Sequence, residues 1–157
     1  MRILVISDSH RKGSIVDKIL SRHPEAEHVF FLGDVTGDIE DFQYEYTDKK
    51  FHIVSGNCDF ASLYPSCGIE KIGDISVFYT HGHTLSVKSG TSRIAEHARQ
   101  RGCSIALYGH THVSRVIYED GIYIVNPGSC SQPREGKASY AVIDIEKNGI
   151  MPIIIEL

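Results

Sequence analysis

The first half of the chain alternates short apolar runs with segments whose apolar residues recur at helical spacing. RILVIS, HVFFLG and FHIVSG are rich in β-branched and aromatic residues and end in polar positions, which predicts three buried strands. Between the first two, SIVDKILSRH predicts a helix capped by Ser14. DIEDFQYEY, residues 38–46, predicts a short second helix. These segments together indicate strand–helix units.

The second half is dominated by predicted hairpins. Strand pairs flank three turn dipeptides, which are Gly73-Asp74, Asp120-Gly121 and Asn148-Gly149. TSRIAEHARQRG predicts a helix that ends at Gly102 in a left-handed cap, and SIALYG predicts another strand. Strand–helix units followed by hairpins favour a mixed α/β fold, with two packed sheets and helices outside them. We expect residues 1–157 to form a single domain.

Composition and charge narrow the function classes. The formal net charge is −4 and the basic residues are scattered, which disfavours a main role in binding nucleic acid or an anionic membrane. The cysteines form no C-x-x-C pair, so we expect reduced thiols in a cytosolic protein. The apolar run 3–6 is too short for a signal peptide or a membrane span. We therefore expect a cytoplasmic protein without membrane association.

Residues able to bind a metal follow five of the predicted strands. They are Asp8, His10, Asp34, Asn57, His81, His110 and His112. Each one alone has an ordinary explanation, such as a helix cap, a turn or a surface histidine. In α/β sheets, however, sites collect at the carboxyl ends of strands, and glycines beside these residues allow close approach. The combined pattern predicts a metal site.

The chemistry of these seven residues indicates two ions. Two carboxylates, one amide and four imidazoles are too many donors for one tetrahedral zinc, but they suit two divalent ions that share Asp34. Imidazole and carboxylate ligands favour Mn, with Fe, Zn, Ni or Co as alternatives. With a bridging hydroxide the formal charge is about +1, which matches a phosphodiester. Two such ions clamp the attacking and leaving oxygens of an in-line displacement.

The ordered motifs D-x-H, G-D, G-N-x-D, H-G-H and G-H-T-H, followed by NPGS, resemble the calcineurin-like metallophosphoesterase superfamily and its small YfcE-like phosphodiesterase branch. The resemblance runs from Met1 to about Arg134. It implies a two-sheet β-sandwich flanked by helices. It implies one ion held by Asp8, His10, Asp34 and His112, and another held by Asp34, Asn57, His81 and His110. His83 would touch the substrate or support a ligand, so the implied catalytic residues are Asp34, Asn57, His81 and His83.

Two positions depart from the larger phosphatases of that superfamily. Asp38 lies four residues after Asp34 and lacks a following arginine, so it is only a weak candidate to support the ligands, and we expect it to cap a helix. Cys58 stands where those phosphatases have histidine, and we expect it to be a small, partly buried residue. The weak candidates for contact with the substrate or support of the ligands are Cys58, Asp59, His83 and Arg134. A thiol whose pKa is raised by Asp59 would be a poor proton donor near neutral pH. Aryl phosphodiesters should therefore be better substrates than alkyl phosphomonoesters.

The downstream residues Asn126, Gly128 and Arg134 allow two interpretations. NPGS could be a plain Pro-Gly turn, or it could pack under the metal site and bring Arg134 near a phosphate.

Two other functions also remain open. A retromer subunit shares this fold, has lost some metal ligands and acts as an interaction scaffold. A nuclease would need a basic groove, which the scattered arginines do not form. Since all seven ligand positions are filled, we expect an enzyme acting on a small phosphate ester. Specificity is expected in loops 35–48, 60–68 and 83–92, and assembly as a homo-oligomer is left open.

Overall fold

The computed structural model describes all of residues 1–157 and contains two five-stranded sheets. The strands are β1 (Arg2–Ile6), β2 (Ala26–Phe31), β3 (Lys50–Ile53), β4 (Cys67–Ile72), β5 (Ile75–Thr80), β6 (Ile105–Leu107), β7 (Arg115–Glu119), β8 (Ile122–Asn126), β9 (Ser139–Glu146) and β10 (Gly149–Glu156). The α-helices are α1 (Gly13–Arg22), α2 (Phe42–Glu45) and α3 (Ser92–Gln100). Short 3₁₀ helices span Thr36–Asp38, His83–Leu85 and Val87–Ser89.

The topology of the two sheets places several strand ends at one edge of the molecule. The first sheet has the order β10-β9-β1-β2-β3, with β1, β2 and β3 parallel. The second has the order β4-β5-β6-β8-β7, with β5, β6 and β8 parallel. The predicted two-sheet architecture is confirmed. Parallel strands in each sheet bring their carboxyl ends together, which is where the candidate ligands follow.

Alternation along the strands builds the core in layers. Ile3 and Val5 of β1 face the second sheet in an apolar cluster that includes Val77 and Leu107. Residues on the other face of the first sheet pack against α1, and a third cluster joins the second sheet to α3. Side chains at successive strand positions point to opposite faces, so each sheet is covered on both sides. The helices therefore lie outside the two sheets, as predicted.

Two helix predictions were wrong in detail. Ser14 does not cap α1, because the helix begins at Gly13 and its N-cap is Lys12. The Lys12 amide instead donates to Asp38 Oδ2 at 3.0 Å. The expected helix over residues 38–46 is a 3₁₀ turn followed by the single turn α2. Asp38 therefore does not cap its own helix; it receives hydrogen bonds from the loop after β1.

The turn predictions largely agree with the structure. Gly102 follows α3 with φ 63°, and Asp120-Gly121 has φ values of 49° and 82°, as expected for a left-handed hairpin turn. At the last hairpin, Gly149 pairs with Glu146 and is already the first residue of β10. The connecting residues there are 147–148, one position earlier than predicted.

A histidine pair on the first sheet reaches across to the second sheet. His28 Nδ1 on β2 lies 2.9 Å from His52 Nε2 on β3, and His52 Nδ1 lies 3.6 Å from Glu70 Oε2 on β4. The His52 ring stacks on Phe30. Burial lowers the pKa of His52 to about 4, with His28 and Lys50 acting in the same direction. Burial also lowers the pKa of His28.

His52 should make the fold sensitive to acid. The unfolded chain takes up a proton on this side chain near the ordinary pKa of 6.5, whereas the folded chain does so only near 4. Stability is therefore full above pH 6.5 and is lost as the pH falls toward 4. Between about pH 7.5 and about pH 5, His52→Phe should remove about 2 kcal/mol of the pH-dependent loss in unfolding free energy. Urea titrations at both pH values measure it, with His97→Phe on α3 as control. Equal pH dependence in wild type and His52→Phe would contradict the expectation.

Candidate metal centre

Loops from both sheets bring the seven predicted ligands to one place. The donor atoms of Asp8, His10, Asp34 and His112 all lie within 4.8 Å of one another, and so do those of Asp34, His81 and His110. Asn57 Oδ1 lies 3.2 Å from His81 Nε2, which adds it to the second group. Asp34 belongs to both groups. Its Oδ1 lies 3.5 Å from His81 Nε2 and its Oδ2 lies 3.9 Å from His10 Nε2.

The His81 ring is oriented so that its Nε2 atom faces oxygen atoms that can only accept hydrogen bonds. Its Nδ1 lies 2.6 Å from the Leu32 carbonyl, which can only accept, so Nδ1 carries the proton. The Nε2 lone pair of neutral His81 then faces the Asn57 and Asp34 oxygens. Acceptors that converge without a donor between them fit a bound cation. A hydrogen bond from the other ring nitrogen to a backbone carbonyl is also the usual support of a metal-binding histidine.

His112 has the same arrangement on the other side of Asp34. Its Nδ1 donates to the Gln132 carbonyl at 2.7 Å, and its Nε2 lies 3.1 Å from both Asp8 Oδ1 and His10 Nε2. Asp8 Oδ1 is buried and has no hydrogen-bond donor when His112 is neutral. A metal ion, or a second proton on His112, must compensate this oxygen. Nitrogen and oxygen donors of this kind suit a transition-metal ion.

Burial, hydrogen bonds and neighbouring charges shift the pKa values of these ligands in different directions. The hydrogen bond to Asp8 raises the pKa of His112. For Asp8, burial acts to raise the pKa, but His112, His81 and Ser7 together bring it below its ordinary value. Burial lowers the pKa of His110 to about 4, with the charges of His81 and Lys88 adding to the effect. His110 is therefore neutral near pH 7, which is the form that binds a metal.

His83 lies beside the second ligand group. Its ring centroid is 5.3 Å from that of His81 and 6.1 Å from that of His110. Burial lowers its pKa, and its buried Nδ1 makes no hydrogen bond within the protein. The structure thus places an imidazole with an unpartnered nitrogen at the edge of the site.

The backbone at the ligands is strained. Five of them have positive φ, with values of 55° at Asp8, 45° at His10, 57° at Asp34, 67° at His110 and 59° at His112. Residues other than glycine rarely adopt this conformation, and it persists only where surrounding contacts enforce it. Such strain concentrated at one site is typical of a functional site.

Asp59 was a weak candidate from the sequence for contact with the substrate or support of the ligands, and its contacts are those of a positioning residue. Its carboxylate accepts backbone hydrogen bonds from Asp34 at 3.0 Å, Thr36 at 2.7 Å and Gly56 at 2.7 Å. These bonds join the loop after β2 to the loop after β3. Asp59 therefore holds Asp34 in place rather than facing a substrate.

Three serines and Asp38 also support the site; Asp38 was a weak candidate for this role from the sequence, and the serines were not candidates. Ser7 Oγ donates to Asp8 Oδ2 at 2.6 Å, and Ser129 Oγ donates to the Asp8 carbonyl at 2.7 Å. Ser9 Oγ donates to Asp38 Oδ2 at 2.6 Å. Serines are common in loops, so only their contacts could have identified them.

The NPGS loop packs under the ligand loops instead of forming an isolated turn. Asn126 Nδ2 donates to the Gly109 carbonyl and to Thr111 Oγ1, both at 3.0 Å, and Asn126 Oδ1 accepts from the Gly128 amide. The Arg134 amide donates to the His112 carbonyl at 3.1 Å. The Arg134 side chain is exposed and lines a cavity next to this loop.

Cys58 is exposed, so the expectation of a partly buried residue was wrong. Its amide donates to Asp34 Oδ1 at 2.9 Å, which places the loop over the ligand cluster. The pKa of the Cys58 thiol is raised to about 11. Desolvation by neighbouring atoms is the largest cause, the Asp34 carboxylate is the second, and Asp59 contributes less. The direction agrees with the expectation, but Asp34 matters more than Asp59.

The comparisons with known proteins fit this geometry. Residues 1–148 match the model of the calcineurin-like phosphoesterase superfamily domain. The probable metallophosphoesterase YsnB of Bacillus subtilis is 30% identical over 94% of this chain and 86% of its own length. The phosphodiesterase MJ0936 of Methanocaldococcus jannaschii is 35% identical over 55% of this chain and 48% of its own length. This chain belongs to the calcineurin-like phosphoesterase superfamily, and it is a phosphoesterase.

Further similarities concern the fold and the rival function. A predicted phosphoesterase from Streptococcus pneumoniae superposes with a TM-score of 0.85 at 29% identity, over 99% of this chain and 88% of that one. The vacuolar protein sorting-associated protein 29 of Schizosaccharomyces pombe is 27% identical over 83% of this chain and 73% of its own length.

None of the helices here combines the length and apolar character needed to cross a bilayer.

Proposed function

We propose that this protein is a phosphodiesterase that depends on two divalent ions. The observation that carries the proposal is Asp34, whose two carboxylate oxygens face separate groups of donor atoms. One ion would be held by Asp8, His10, Asp34 and His112, and the other by Asp34, Asn57, His81 and His110. When bound, such ions supply Lewis-acid polarisation of a phosphoryl oxygen and a lowered pKa for bound water.

The chain's own residues prepare the site for this chemistry. The carbonyls of Leu32 and Gln132 hold the His81 and His112 rings so that Nε2 points inward. Because burial keeps His83 neutral, it can donate one hydrogen bond without adding charge, and we assign it to orienting the phosphate. Asn57 contributes an amide oxygen without a charge, which keeps the site positive enough for an anionic substrate.

A diester substrate and manganese are the finer parts of the proposal. The relative named phosphodiesterase supports diesters, and the donor set of imidazole, carboxylate and amide suits manganese. The Cys58 thiol, with a pKa of about 11, would have no proton-donor advantage near neutral pH. Esters whose leaving group needs no protonation should therefore react best.

The test combines metal analysis with turnover. Metal-stripped protein is reloaded with manganese, and its metal content is measured beside hydrolysis of bis(4-nitrophenyl) phosphate. We expect two ions per chain, turnover that EDTA abolishes, and faster reaction of this aryl diester than of an alkyl phosphomonoester. Zinc, iron, nickel and cobalt are compared in the same assay to rank the metals.

Two results would contradict the proposal. At most one ion per chain under metal-replete conditions would exclude the binuclear site. Two bound ions without hydrolysis of any diester would instead favour an interaction scaffold, the alternative that the similarity to the sorting-associated protein keeps in view.

A further inference from the structure

A cavity lies beside the metal centre on the side of the second sheet. It has a volume of about 460 Å³ and is lined by residues 87–91, by the loop between β6 and β7, by the first residue of β7, and by residues 134–135. Thr111, one of its lining residues, stands between the ligands His110 and His112 in the chain. The cavity is therefore continuous with the loop that carries two of the ligands.

Three cations line this cavity and have no acidic partner. Lys88, Arg115 and Arg134 form no ion pair, as is true of most basic side chains in this protein, but these three line the same cavity. The one acid in the lining, Glu135, is also exposed and unpaired. The lining thus carries a formal surplus of two positive charges in a protein whose net charge is −4.

The rest of the lining is polar. Ser89 and Thr91 offer hydroxyl groups, and Thr91 is the N-cap of α3, so the positive end of that helix adds to the wall. Hydroxyl donors and unpaired cations recognise a phosphate or carboxylate group.

The cavity on the other side of the site has a different character. It is lined by Phe60, Leu63 and Tyr64 together with the acids Glu40 and Asp59, and no basic residue lines it. A phosphodiester carries two ester substituents. The basic cavity would attract an anionic substituent, whereas the acidic cavity would repel one.

We propose that the cavity lined by Lys88, Arg115 and Arg134 binds a second anionic group on the substrate, such as a terminal phosphate, next to the scissile diester. This inference rests on the proposed phosphodiesterase function and defines its substrate class. Exposed ion pairs are screened by solvent, so each cation contributes a modest preference, of about fivefold at most.

The test compares two diesters with the same leaving group. One is 4-nitrophenyl propyl phosphate, and the other is 4-nitrophenyl 2-phosphonoethyl phosphate. Wild type should prefer the phosphonate ester about tenfold in kcat/KM, and Lys88→Ala and Arg115→Ala should each reduce this ratio about twofold. Lys18→Ala, which removes the same charge from α1, should leave the ratio unchanged.

Binding separates failure of this inference from failure of the proposed function. Calorimetry on the metal-loaded protein compares propylphosphonate with propane-1,3-bisphosphonate, and neither compound needs turnover. The second phosphonate should tighten Kd in wild type and in Lys18→Ala, but less in Lys88→Ala and Arg115→Ala. Equal ratios in all four proteins, in either assay, would overturn the inference.

Discussion

Asp34→Asn should lose most phosphodiesterase activity, on the order of 10³-fold, and should retain at most one ion per chain. The carboxylate oxygens lie 3.5 Å from His81 Nε2 and 3.9 Å from His10 Nε2, so each faces a different group of donors. An amide keeps the shape but has one acceptor oxygen and no charge. It cannot replace a ligand shared by two ions.

The fold should tolerate this change. Asp34 is 2% exposed, and replacing its buried charge with a neutral amide removes a desolvation cost in the absence of metal. Thermal unfolding in EDTA should therefore be little changed, whereas the stabilisation of wild type by manganese should shrink in the variant. Asp41→Asn, the same substitution at an exposed position, serves as control. Two ions and wild-type turnover in Asp34→Asn would refute the shared-ligand assignment.

Gly56→Ala should disturb the metal centre without replacing any of the ligand residues. A Cβ atom at this position would overlap the Asp34 carboxylate and would lie 2.6 Å from the Asp34 amide nitrogen. The loops after β2 and β3 would have to separate. We expect activity to fall about 10²-fold, since a displacement of about 1 Å at a site can cost that much. Overpacking should also cost about 1–3 kcal/mol of unfolding free energy.

Gly37→Ala provides the matched control. It lies in the neighbouring 3₁₀ turn, and a Cβ atom there would meet nothing within 4 Å. Its effect on unfolding free energy should stay within about 0.5 kcal/mol. Manganese titrations of activity and urea unfolding of both variants make the comparison. The close-approach argument fails if Gly56→Ala behaves like Gly37→Ala.

The failed helix predictions share a physical cause. Residues 38–46 have apolar positions at helical spacing, yet Val35 has φ 88° and Asp38 is engaged by the loop after β1. These contacts start the segment as a 3₁₀ turn, and only Phe42–Glu45 continues as α2. The Ser14 prediction failed similarly, because Asp38 accepts the Lys12 amide across 26 positions of the chain. Local propensity is weak enough for such long-range bonds to override it.

The identities of the candidate ligands were predictable from spacing. Asp8 and His10, like His110 and His112, follow apolar strands directly, and strand ends in α/β sheets converge. The exposure of Cys58 and the contacts of Asp59 were not predictable. Both depend on how the loop after β3 folds over the loop after β2, through bonds between residues more than twenty positions apart.

The sequence by itself determined the strands, the donor atoms available at their ends and the family, because apolar periodicity and ordered motifs are local properties of the chain. Only the tertiary structure decided that Asp34 faces both donor groups and that carbonyl bonds turn His81 and His112 inward. It also decided that Lys88, Arg115 and Arg134 line one cavity. These features join residues from separate loops, whose relative positions follow from the packing of the two sheets.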